Sequence, residues 1–365
     1  MIFTDEILRA LTQRIFAAAG CHTEEADRVA RMLVDSNLVG HDSHGVIRIP
    51  TYVQWLKNGK VIANQTIKLV ADHGPLATVD GQYGLGQTVG YQSMQLAVQK
   101  AREHGVAVIG LRNAGHLGRI GDWPQMAVDA GMISLNFVNT SGAGMLVSPF
   151  GGIDRRLSVN PFAAGIPSRD GDPLLLDMSA ATIAEGKVRV ALNRGEQVPS
   201  GCIVDAHGQP TQDPVVFYGD PPGSILPIAG HKGFGLSMII EVLAGALTGG
   251  SCTNPDNADR LANGMLSIVV DPLQVMSAND FFPELQRYVE FVKSSRTLAP
   301  DGEILMPGDP ERRTKERRIR DGIELDDNTV VQIAETAQSL GVDLGFEPPK
   351  VDAVPQVKLP AVEQE

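Results

Sequence analysis

The chain has 365 residues, of which 43% are hydrophobic and 20% are charged. These proportions are typical of a globular protein that buries a sizeable core in two or three domains. The formal net charge is −12, so the average surface repels a polyanion, and nucleic acid is not an expected partner. A small anion needs only a local positive field, so the net charge does not exclude a small anionic ligand.

The N-terminal residues and the cysteines point to a cytoplasmic protein. Residues 1–16 have the pattern of an amphipathic helix with acidic residues in it, which is unlike a secretory signal peptide. No apolar run reaches the ~18 residues that a bilayer crossing needs, so no membrane association is expected. Cys21, Cys202 and Cys252 are widely spaced and odd in number, which argues against a disulfide framework or a zinc ribbon.

Helical periodicity dominates both ends of the chain, and strands alternate with helices in between. The predicted helices span residues 4–20, 23–40, 88–105, 123–131, 234–248, 281–294, 310–320 and 328–340, and a further helical stretch ends near Gly59. The predicted strands span residues 77–81, 106–111, 133–138, 161–167, 173–178, 223–228 and 265–271. Helices at both ends around an α/β middle indicate that the two termini meet in one helical layer. Residues 346–365 hold four prolines and no apolar face, which predicts an extended or disordered tail.

The segment GLGQTVG, residues 84–90, lies between a predicted strand and a predicted helix. Its GxGxxxG spacing is close to a dinucleotide-binding fingerprint, in which an acidic residue about 20 residues further on holds the ribose. The next predicted strand is followed by Arg112 and Asn113 instead of an acid. An arginine there could favour a 2′-phosphate, whereas a plain glycine turn is the simpler interpretation.

Two further segments could bind a ligand at the ends of predicted elements. HKGFG, residues 231–235, opens a predicted helix, where free backbone N–H groups, glycines and Lys232 would attract phosphate. A capped helix start with a surface lysine is the alternative. NAGHLGRIG, residues 113–121, places His116 just beyond a predicted strand, where α/β proteins often bind ligands. A polar surface histidine would give the same pattern.

The densest group of reactive side chains lies in GHDSHGVIRIPTY, residues 40–52. His41 and His44 have a spacing that can share a metal ion, and Asp42 lies between them. No HExxH motif is present and no third ligand is evident, so no metal site is predicted.

The alternative for this stretch is acid–base chemistry. On a helix, His44, Arg48 and Tyr52 would share one face at positions i, i+4 and i+8. Pro50 is tolerated only in a first turn, which puts the start of the regular helix near Val46. An arginine can grip a carboxylate with two hydrogen bonds, and a histidine can exchange an alcohol proton near neutral pH. The trio therefore suits a 2-hydroxy or 2-oxo acid, and a polar helical turn without function is the other interpretation.

Six motifs occur in a fixed order: GHDSHGVIRIPTY, NAGHLGRIG, NPFAAGIP, LLLDMSAATIAEGKV, GHKGFGLSMIIEVLAGALTGG and ILMPGDPERRTKERR. Together they resemble the malate/L-lactate dehydrogenase family of the type that does not use a Rossmann fold, which includes ureidoglycolate, sulfolactate and diketogulonate enzymes. The resemblance covers residues 3–343. It implies an α/β (α+β) fold, in which a mostly antiparallel sheet binds the nicotinamide cofactor, and a homodimer.

We also expect a division of the chain into domains. Residues 1–70 and 300–345 would form a helical domain from both ends of the chain. Residues 71–145 and 220–299 would form the cofactor-binding α/β domain. Residues 146–219 would form the region that contacts the substrate or the second subunit.

The resemblance also implies an NAD(P)-dependent enzyme that interconverts a 2-hydroxy acid and a 2-oxo acid. It makes His44 the acid–base residue and Arg48 the contact to the substrate carboxylate, with His116 in the same pocket and Tyr52 beside it. The cofactor, NAD with NADP as the alternative, would be held by His116 and by three segments: Asp177, Met178, Ser179 and Ala180; His231, Lys232 and Gly233; and Met306, Pro307 and Gly308.

One position departs from part of the family. Some members carry a lysine just after the strand at 133–138, and the nearest position here is Thr140 in NTSGAG. Thr140 is a candidate substrate contact. The missing lysine argues against substrates of the ureidoglycolate type.

Two other classes of function compete with the dehydrogenase. The resemblance extends to reductases of cyclic 2-imino acids (ketimines), in which the same histidine would protonate nitrogen instead of oxygen. A binding protein or an inactive relative is the third possibility. The presence of His44, Arg48 and His116 together argues against it.

Overall fold

The computed structural model describes residues 1–142, 144–169, 171–255 and 260–350. Its α-helices are α1 (Asp5–Ala18), α2 (Thr23–Leu38), α3 (Ile49–Lys57), α4 (Gly86–His104), α5 (Asp122–Asp129), α6 (Glu185–Arg194), α7 (Pro214–Phe217), α8 (His231–Ile240), α9 (Ala278–Lys293), α10 (Asp309–Asp321) and α11 (Asp327–Ser339). Its strands are β1 (Ile2–Phe3), β2 (Lys68–His73), β3 (Leu76–Asp80), β4 (Val106–Ala114), β5 (Ile133–Ser141), β6 (Pro161–Ile166), β7 (Leu174–Ser179), β8 (Ile203–Val204), β9 (Pro210–Thr211), β10 (Ser224–Ile225), β11 (Ala262–Val270) and β12 (Ile323–Glu324).

A seven-stranded sheet with the order β2-β3-β4-β11-β5-β6-β7 forms the centre of the fold. Its strand pairs are antiparallel except for β3 and β4, which run parallel and are joined by α4. The central strand β11 has the sequence ANGMLSIVV and is buried along most of its length, as expected for a strand covered on both faces. The prediction of an α/β fold with a mostly antiparallel, non-Rossmann sheet is confirmed.

Both ends of the chain contribute to one hydrophobic core. β1 pairs with β12, with Phe3 opposite Ile323. The same apolar cluster contains Leu11 from α1, Leu33 from α2 and Ile333 from α11. The termini therefore meet in one helical layer, while the domain boundaries proposed from the sequence stay predictions. Residues 351–365 of the predicted tail lie outside the described residues.

The glycines of residues 84–90 pack closely against the rest of the fold. A Cβ added to Gly86, at the start of α4, would lie 2.2 Å from the backbone oxygen of His116. A Cβ added to Gly90 would lie 2.6 Å from Cη2 of the buried Trp123. These contacts explain the glycines as a close approach between α4 and the loop that follows β4. With a mostly antiparallel sheet, the Rossmann interpretation of this segment is wrong.

Several elements differ from their predicted form. The edge strand β2 is mostly exposed, so it lacks the apolar alternation that marks a half-buried strand. The helix predicted at 234–248 begins at His231, because Gly230 enters it with a φ of +62°. It changes to a π-helical turn over Glu241–Ala246. Helix α6 was not predicted.

The π-helical turn places a carboxylate inside the protein. The buried Glu241 side chain accepts hydrogen bonds from Asn139 Nδ2 at 3.0 Å, Asn160 Nδ2 at 2.7 Å and Thr253 Oγ1 at 2.8 Å. The backbone N–H of Thr253 donates to it as well. The donors thus come from β5, from the residue before β6 and from the loop after the π turn. π turns often accompany functional sites, and here the turn aims a polar group at the sheet.

Two further observations concern membrane crossing and the cysteines. Among the described helices, none has the length and apolarity that a membrane crossing requires. Cys21, Cys202 and Cys252 all carry free thiols, and the first two are buried.

The contact at Gly86 leads to a stability prediction. Gly86→Ala should lower the free energy of unfolding by about 1–3 kcal/mol, because the new methyl group meets backbone that cannot rotate away. Gly235→Ala is the matched control, since Gly235 also lies in a helix and no described atom is within 4 Å of the added Cβ. The control should be neutral or stabilise by up to ~1 kcal/mol. Urea unfolding measures both, and an unchanged midpoint for Gly86→Ala would contradict the packing role.

Candidate active site

The stretch at residues 40–52 folds into two short 3₁₀ turns followed by a helix. The turns span Asp42–His44 and Val46–Arg48, and α3 begins at Ile49 with Pro50 in its first turn. The regular helix thus starts three residues later than predicted. His44 still lies at its mouth, as expected from the position of the proline.

The side chain of Asn37, from α2, fixes this turn. Its Oδ1 accepts a hydrogen bond from Val46 N at 2.8 Å, and its Nδ2 donates to Asp42 Oδ1 at 2.7 Å. Only glycine fits between them, because a Cβ on Gly45 would lie 2.2 Å from Asn37 Oδ1. The asparagine is buried. Its bonds to the backbone of Val46 and to the side chain of Asp42 hold residues on both sides of His44.

The structure brings together His44, His116 and Tyr52. The two imidazole rings stack with their centroids 5.6 Å apart and their planes at 15°. Tyr52 Oη lies 2.6 Å from His116 Nδ1, and Ser43 Oγ lies 3.0 Å from His44 Nδ1. Among the described residues, neither Nε2 atom has a hydrogen-bond partner. Two adjacent imidazoles therefore keep one nitrogen each for a ligand.

Arg48 is anchored through only one of its nitrogens. Its Nε donates to the backbone oxygen of Ser43 at 2.6 Å. No acceptor from the described residues bonds to its Nη1 or Nη2. The end of the guanidinium that can grip a carboxylate with two parallel hydrogen bonds is therefore available.

Burial keeps both imidazoles neutral. Loss of hydration lowers the pKa of His116 to about 3, and the positive charge of Arg48 acts in the same direction. Burial, followed by His116 and Arg48, lowers the pKa of His44 well below its ordinary value. At neutral pH both rings are therefore neutral in the absence of a ligand. An anion bound at Arg48 would cancel one of these causes and raise the pKa of His44.

Helix α6 closes one side of this pocket. A Cβ on Gly186 would lie 2.6 Å from Ser43 Cβ, so α6 packs directly on the turn that carries His44. Burial raises the pKa of Glu185, but Arg189 and Arg48 outweigh it and lower that pKa below its usual range. Glu185 is thus a charged neighbour of Arg48.

Thr140 is linked to the loop of His116 through an asparagine. Asn263 Nδ2 donates to Thr140 Oγ1 at 2.9 Å, and Asn263 Oδ1 accepts from Leu117 N at 2.9 Å. A register irregularity in β11 between Asn263 and Met265 makes room for this reach. The Thr140 hydroxyl is therefore committed to the wall of the site, and its contact with a substrate stays a prediction.

The predicted cofactor segments converge on β7. Leu175 N donates to Pro307 O at 3.0 Å, which places the Met306–Gly308 turn beside this strand. Gly121 N, from the loop of His116, donates to Asp177 Oδ2 at 2.8 Å. Ile228 N donates to Ala180 O at 2.9 Å, which places the start of α8 at the far end of β7.

The residues of these predicted cofactor segments differ in their exposure and packing. His231 and Lys232 are exposed in the first turn of α8. Gly233 is buried, and a Cβ there would lie 2.2 Å from Ile228 O. Met178 lies opposite Phe162 in the sheet.

Ser179, the last residue of β7, and Ala180, which follows it, already form hydrogen bonds within the fold. Ser179 Oγ accepts from Ala181 N at 3.0 Å. Ala180 is buried, and both of its backbone groups are used, because its N–H donates to Val159 O. Ala180 thus supports its neighbours and has no free backbone group for a ligand.

The two histidines of the HxxH pattern have different partners. His41 Nε2 lies 3.3 Å from Glu311 Oε1, whereas His44 faces Ser43. Within the described parts of the chain, no group of three or more histidine, cysteine or acidic side chains could hold a metal ion.

Sequence reasoning missed Gln87, Asn263 and Glu185. Gln87 is 1% exposed, and its Nε2 lies 3.4 Å from Tyr52 Oη. It belongs to the glycine-rich segment that drew attention as a fingerprint, where its polarity amid buried glycines was the available signal. Asn263 and Glu185 gave no local signal, because their partners are distant in sequence.

Comparison with known proteins agrees with this fold. A family model described as malate/L-lactate dehydrogenase matches residues 3–334. Hydroxycarboxylate dehydrogenase B of Escherichia coli O157:H7 is 38% identical, over 93% of this chain and 94% of its own length.

Solved structures match over the same extent. An Escherichia coli structure assigned as a malate/lactate dehydrogenase superposes with a TM-score of 0.90 at 37% identity, covering 94% of this chain and 96% of that one. The Δ1-piperideine-2-carboxylate reductase of Pseudomonas syringae has a TM-score of 0.79 at 29% identity, covering 92% of this chain and 100% of that one. With a family model that matches almost the whole chain, this protein belongs to the malate/L-lactate dehydrogenase family of oxidoreductases.

Proposed function

We propose that this chain is an NAD(P)-dependent 2-hydroxyacid dehydrogenase that interconverts a 2-hydroxy acid and a 2-oxo acid. The observation that carries the proposal is the pairing of two half-buried, stacked imidazoles with the guanidinium of Arg48. Each ring keeps its Nε2 without a partner among the described residues, and Arg48 keeps both Nη atoms. Such a group matches the carboxylate and the adjacent C2 oxygen of a small 2-oxo acid.

Arg48 fixes the substrate in this mechanism. Its Nη1 and Nη2 bind the two carboxylate oxygens, while its Nε stays on the backbone of Ser43. Because the anchor restrains the guanidinium plane, the grip also sets the orientation of C2.

His44 exchanges the proton. In oxidation, the neutral ring takes the proton of the C2 hydroxyl group. In reduction, the imidazolium gives this proton to the forming alkoxide. The lowered pKa of His44 makes the imidazolium a strong acid, and the bound carboxylate favours its formation by neutralising Arg48.

A nicotinamide dinucleotide fits the surroundings of β7. The first turn of α8 offers an exposed Lys232 at the positive end of the helix dipole, and the two together suit a pyrophosphate. The free N–H groups expected there from the sequence are absent at Lys232, Gly233 and Phe234, because these donate to the backbone oxygens of Ala229, Ile228 and Gly230. Asp177 and Ser179 belong to β7, and the Met306–Gly308 turn lies beside this strand. When bound, this cofactor accepts or supplies the hydride. NAD is the proposed form, with NADP as the alternative.

A ketimine reductase is the second candidate. The resemblance to the Pseudomonas syringae reductase favours it, since that protein shares the fold over 92% of this chain. In this case His44 would protonate the imine nitrogen, and Arg48 would bind the same carboxylate.

We also propose that the protein is a homodimer. Met238, Ile239, Val242 and Leu247, on α8 and its continuation, are between 43% and 62% exposed and form an apolar face. A second copy of the chain would cover this face. In sedimentation velocity the wild type should have twice the 39.0 kDa mass of the chain, and Val242→Asp should shift it to the monomer. A monomeric wild type would contradict the proposal.

The proposed location is the cytoplasm. The three unpaired cysteines suit a reducing compartment.

The first experiment follows nicotinamide absorbance. Wild type and His44→Ala receive NADH or NADPH with pyruvate, oxaloacetate, phenylpyruvates and 2-oxoglutarate. We expect turnover of at least one acid by the wild type and a loss of about 10²–10⁴-fold in the variant, because proton transfer typically contributes that factor. Cofactor binding, measured by fluorescence, should stay intact.

Each outcome of this panel decides one part of the proposal. Equal rates in both proteins would move the proton exchange to His116. If no acid is turned over, cyclic imines are tested next, and turnover with these alone would replace the dehydrogenase by the ketimine reductase.

A second substitution tests the carboxylate grip. Arg48→Lys should lower kcat/KM for the 2-oxo acid about 100-fold or more, because an ammonium group cannot make both the bidentate contact and the bond to Ser43. The affinity for NADH should change little. Arg287→Lys, at an exposed position of α9, is the matched control and should behave as wild type. Near-normal turnover by Arg48→Lys would rule out the grip.

A further inference from the structure

A hydrogen-bonded chain of two buried side chains, Gln87 and Tyr52, leads to His116. Each of the two is 1% exposed. Gln87 Nε2 lies 3.4 Å from Tyr52 Oη and 3.5 Å from the backbone oxygen of His116, and Tyr52 Oη lies 2.6 Å from His116 Nδ1. None of these contacts involves a substrate, so the chain is complete in the free protein.

The backbone oxygen of His116 sets the direction of this chain. A carbonyl oxygen only accepts hydrogen bonds, so the end of Gln87 that faces it must be the NH₂ group. The same NH₂ group then donates to Tyr52 Oη. The Gln87 Oε1 atom is buried and has no partner among the described residues, a cost that the two donor contacts of Nε2 offset.

The proton of Tyr52 has one acceptor left. With Gln87 donating to its oxygen, the phenol can donate to His116 Nδ1 at 2.6 Å. Nδ1 is then an acceptor and carries no hydrogen. The proton of the neutral ring therefore lies on Nε2, the nitrogen without a partner among the described residues.

We propose that Gln87 and Tyr52 are positioning residues that lock His116 as a neutral imidazole with its proton on Nε2. His116 is then a fixed hydrogen-bond donor, and His44 alone exchanges the proton. The lock is a property of the free protein. Its use, donation to the C2 oxygen of the substrate, rests on the proposed dehydrogenase function.

The second imidazole has no such lock. His44 Nδ1 lies 3.0 Å from the hydroxyl of Ser43, which is only partly buried. For Nε2 of the neutral ring to take a proton, Nδ1 must carry the ring's own proton, and the serine oxygen can accept from Nδ1 in both the neutral ring and the imidazolium. His44 can therefore change its protonation state without losing its partner, whereas protonation of His116 would break its bond to Tyr52.

Burial supports the same proton arrangement. It raises the pKa of Tyr52 to about 12 and, together with Arg48, lowers the pKa of His116 to about 3. At neutral pH the phenol thus keeps its proton, and the imidazole stays neutral.

Nuclear magnetic resonance of the free enzyme tests the lock. Long-range ¹H–¹⁵N spectra of protein with ¹⁵N-labelled histidine distinguish a protonated ring nitrogen from an unprotonated one. The His116 signals are assigned by their loss in His116→Gln. The wild type should show the Nε2-protonated tautomer alone near neutral pH, and Tyr52→Phe and Gln87→Met should each produce a mixture of tautomers.

Kinetics then measure the use of the lock. Tyr52→Phe should lower kcat by about 2- to 10-fold, since only the fraction of His116 that keeps its proton on Nε2 can donate. Gln87→Met should lower it less. The KM for the 2-oxo acid should change little in either variant, because Arg48 still binds the carboxylate.

The same helix supplies a matched control. Gln95 Nε2 donates to Tyr91 Oη at 3.2 Å on the exposed side of α4. Tyr91→Phe and Gln95→Met remove an equivalent pair and should leave both the His116 signals and kcat unchanged.

Two results would overturn the proposal. One is a wild-type His116 that carries its proton on Nδ1 or on both nitrogens. The other is an unchanged His116 spectrum in Gln87→Met and Tyr52→Phe. The spectra need no substrate, so a failure to turn over any acid or imine would refute the proposed function and leave the lock to be decided by the spectra.

Discussion

Desolvation beside a fixed cation is the constraint on which the site depends. His44 and His116 stack in a buried pocket, and Arg48 adds a positive charge to it. Neither ring can hold a proton there at low cost unless an anion arrives. In the proposed mechanism, the charge of the bound carboxylate decides whether a proton can enter the pocket. Substrate recognition and acid–base chemistry would then be coupled through the guanidinium of Arg48.

The sheet and two asparagine side chains, which hold the segments that carry the histidines, make this coupling geometrically possible. Asn37 holds the turn of His44 from α2, and Asn263 holds the loop of His116 from β11. The contact between Gly86 and the backbone of His116 brings α4 against the same loop. The site is thus supported by elements that are buried on several sides, while Arg48 Nη1 and Nη2 and the two histidine Nε2 atoms have no partner among the described residues.

The reactive side chains could be predicted from the sequence better than the residues that hold them in place. His44, Arg48 and Tyr52 lie within nine residues, so a helical period could group them, and the six motifs indicated a mostly antiparallel sheet. Gln87 and Asn263 escaped because each acts on a partner that only the tertiary fold brings near. The start of α8 was misplaced by three residues, since apolar periodicity begins at Phe234 while Gly230 allows the helix to begin earlier.

Glu241 shows how far one side chain can constrain the evolution of this protein. Its carboxylate accepts from two asparagine amides, one hydroxyl and one backbone N–H, with no cation among these partners. A glutamine at this position would turn an NH₂ group towards another NH₂ group. Substitutions at positions 139, 160, 241 and 253 are therefore expected to be accepted only in compensating sets. Drift at any one of these four positions is limited by the other three, even though they are spread over more than a hundred residues of sequence.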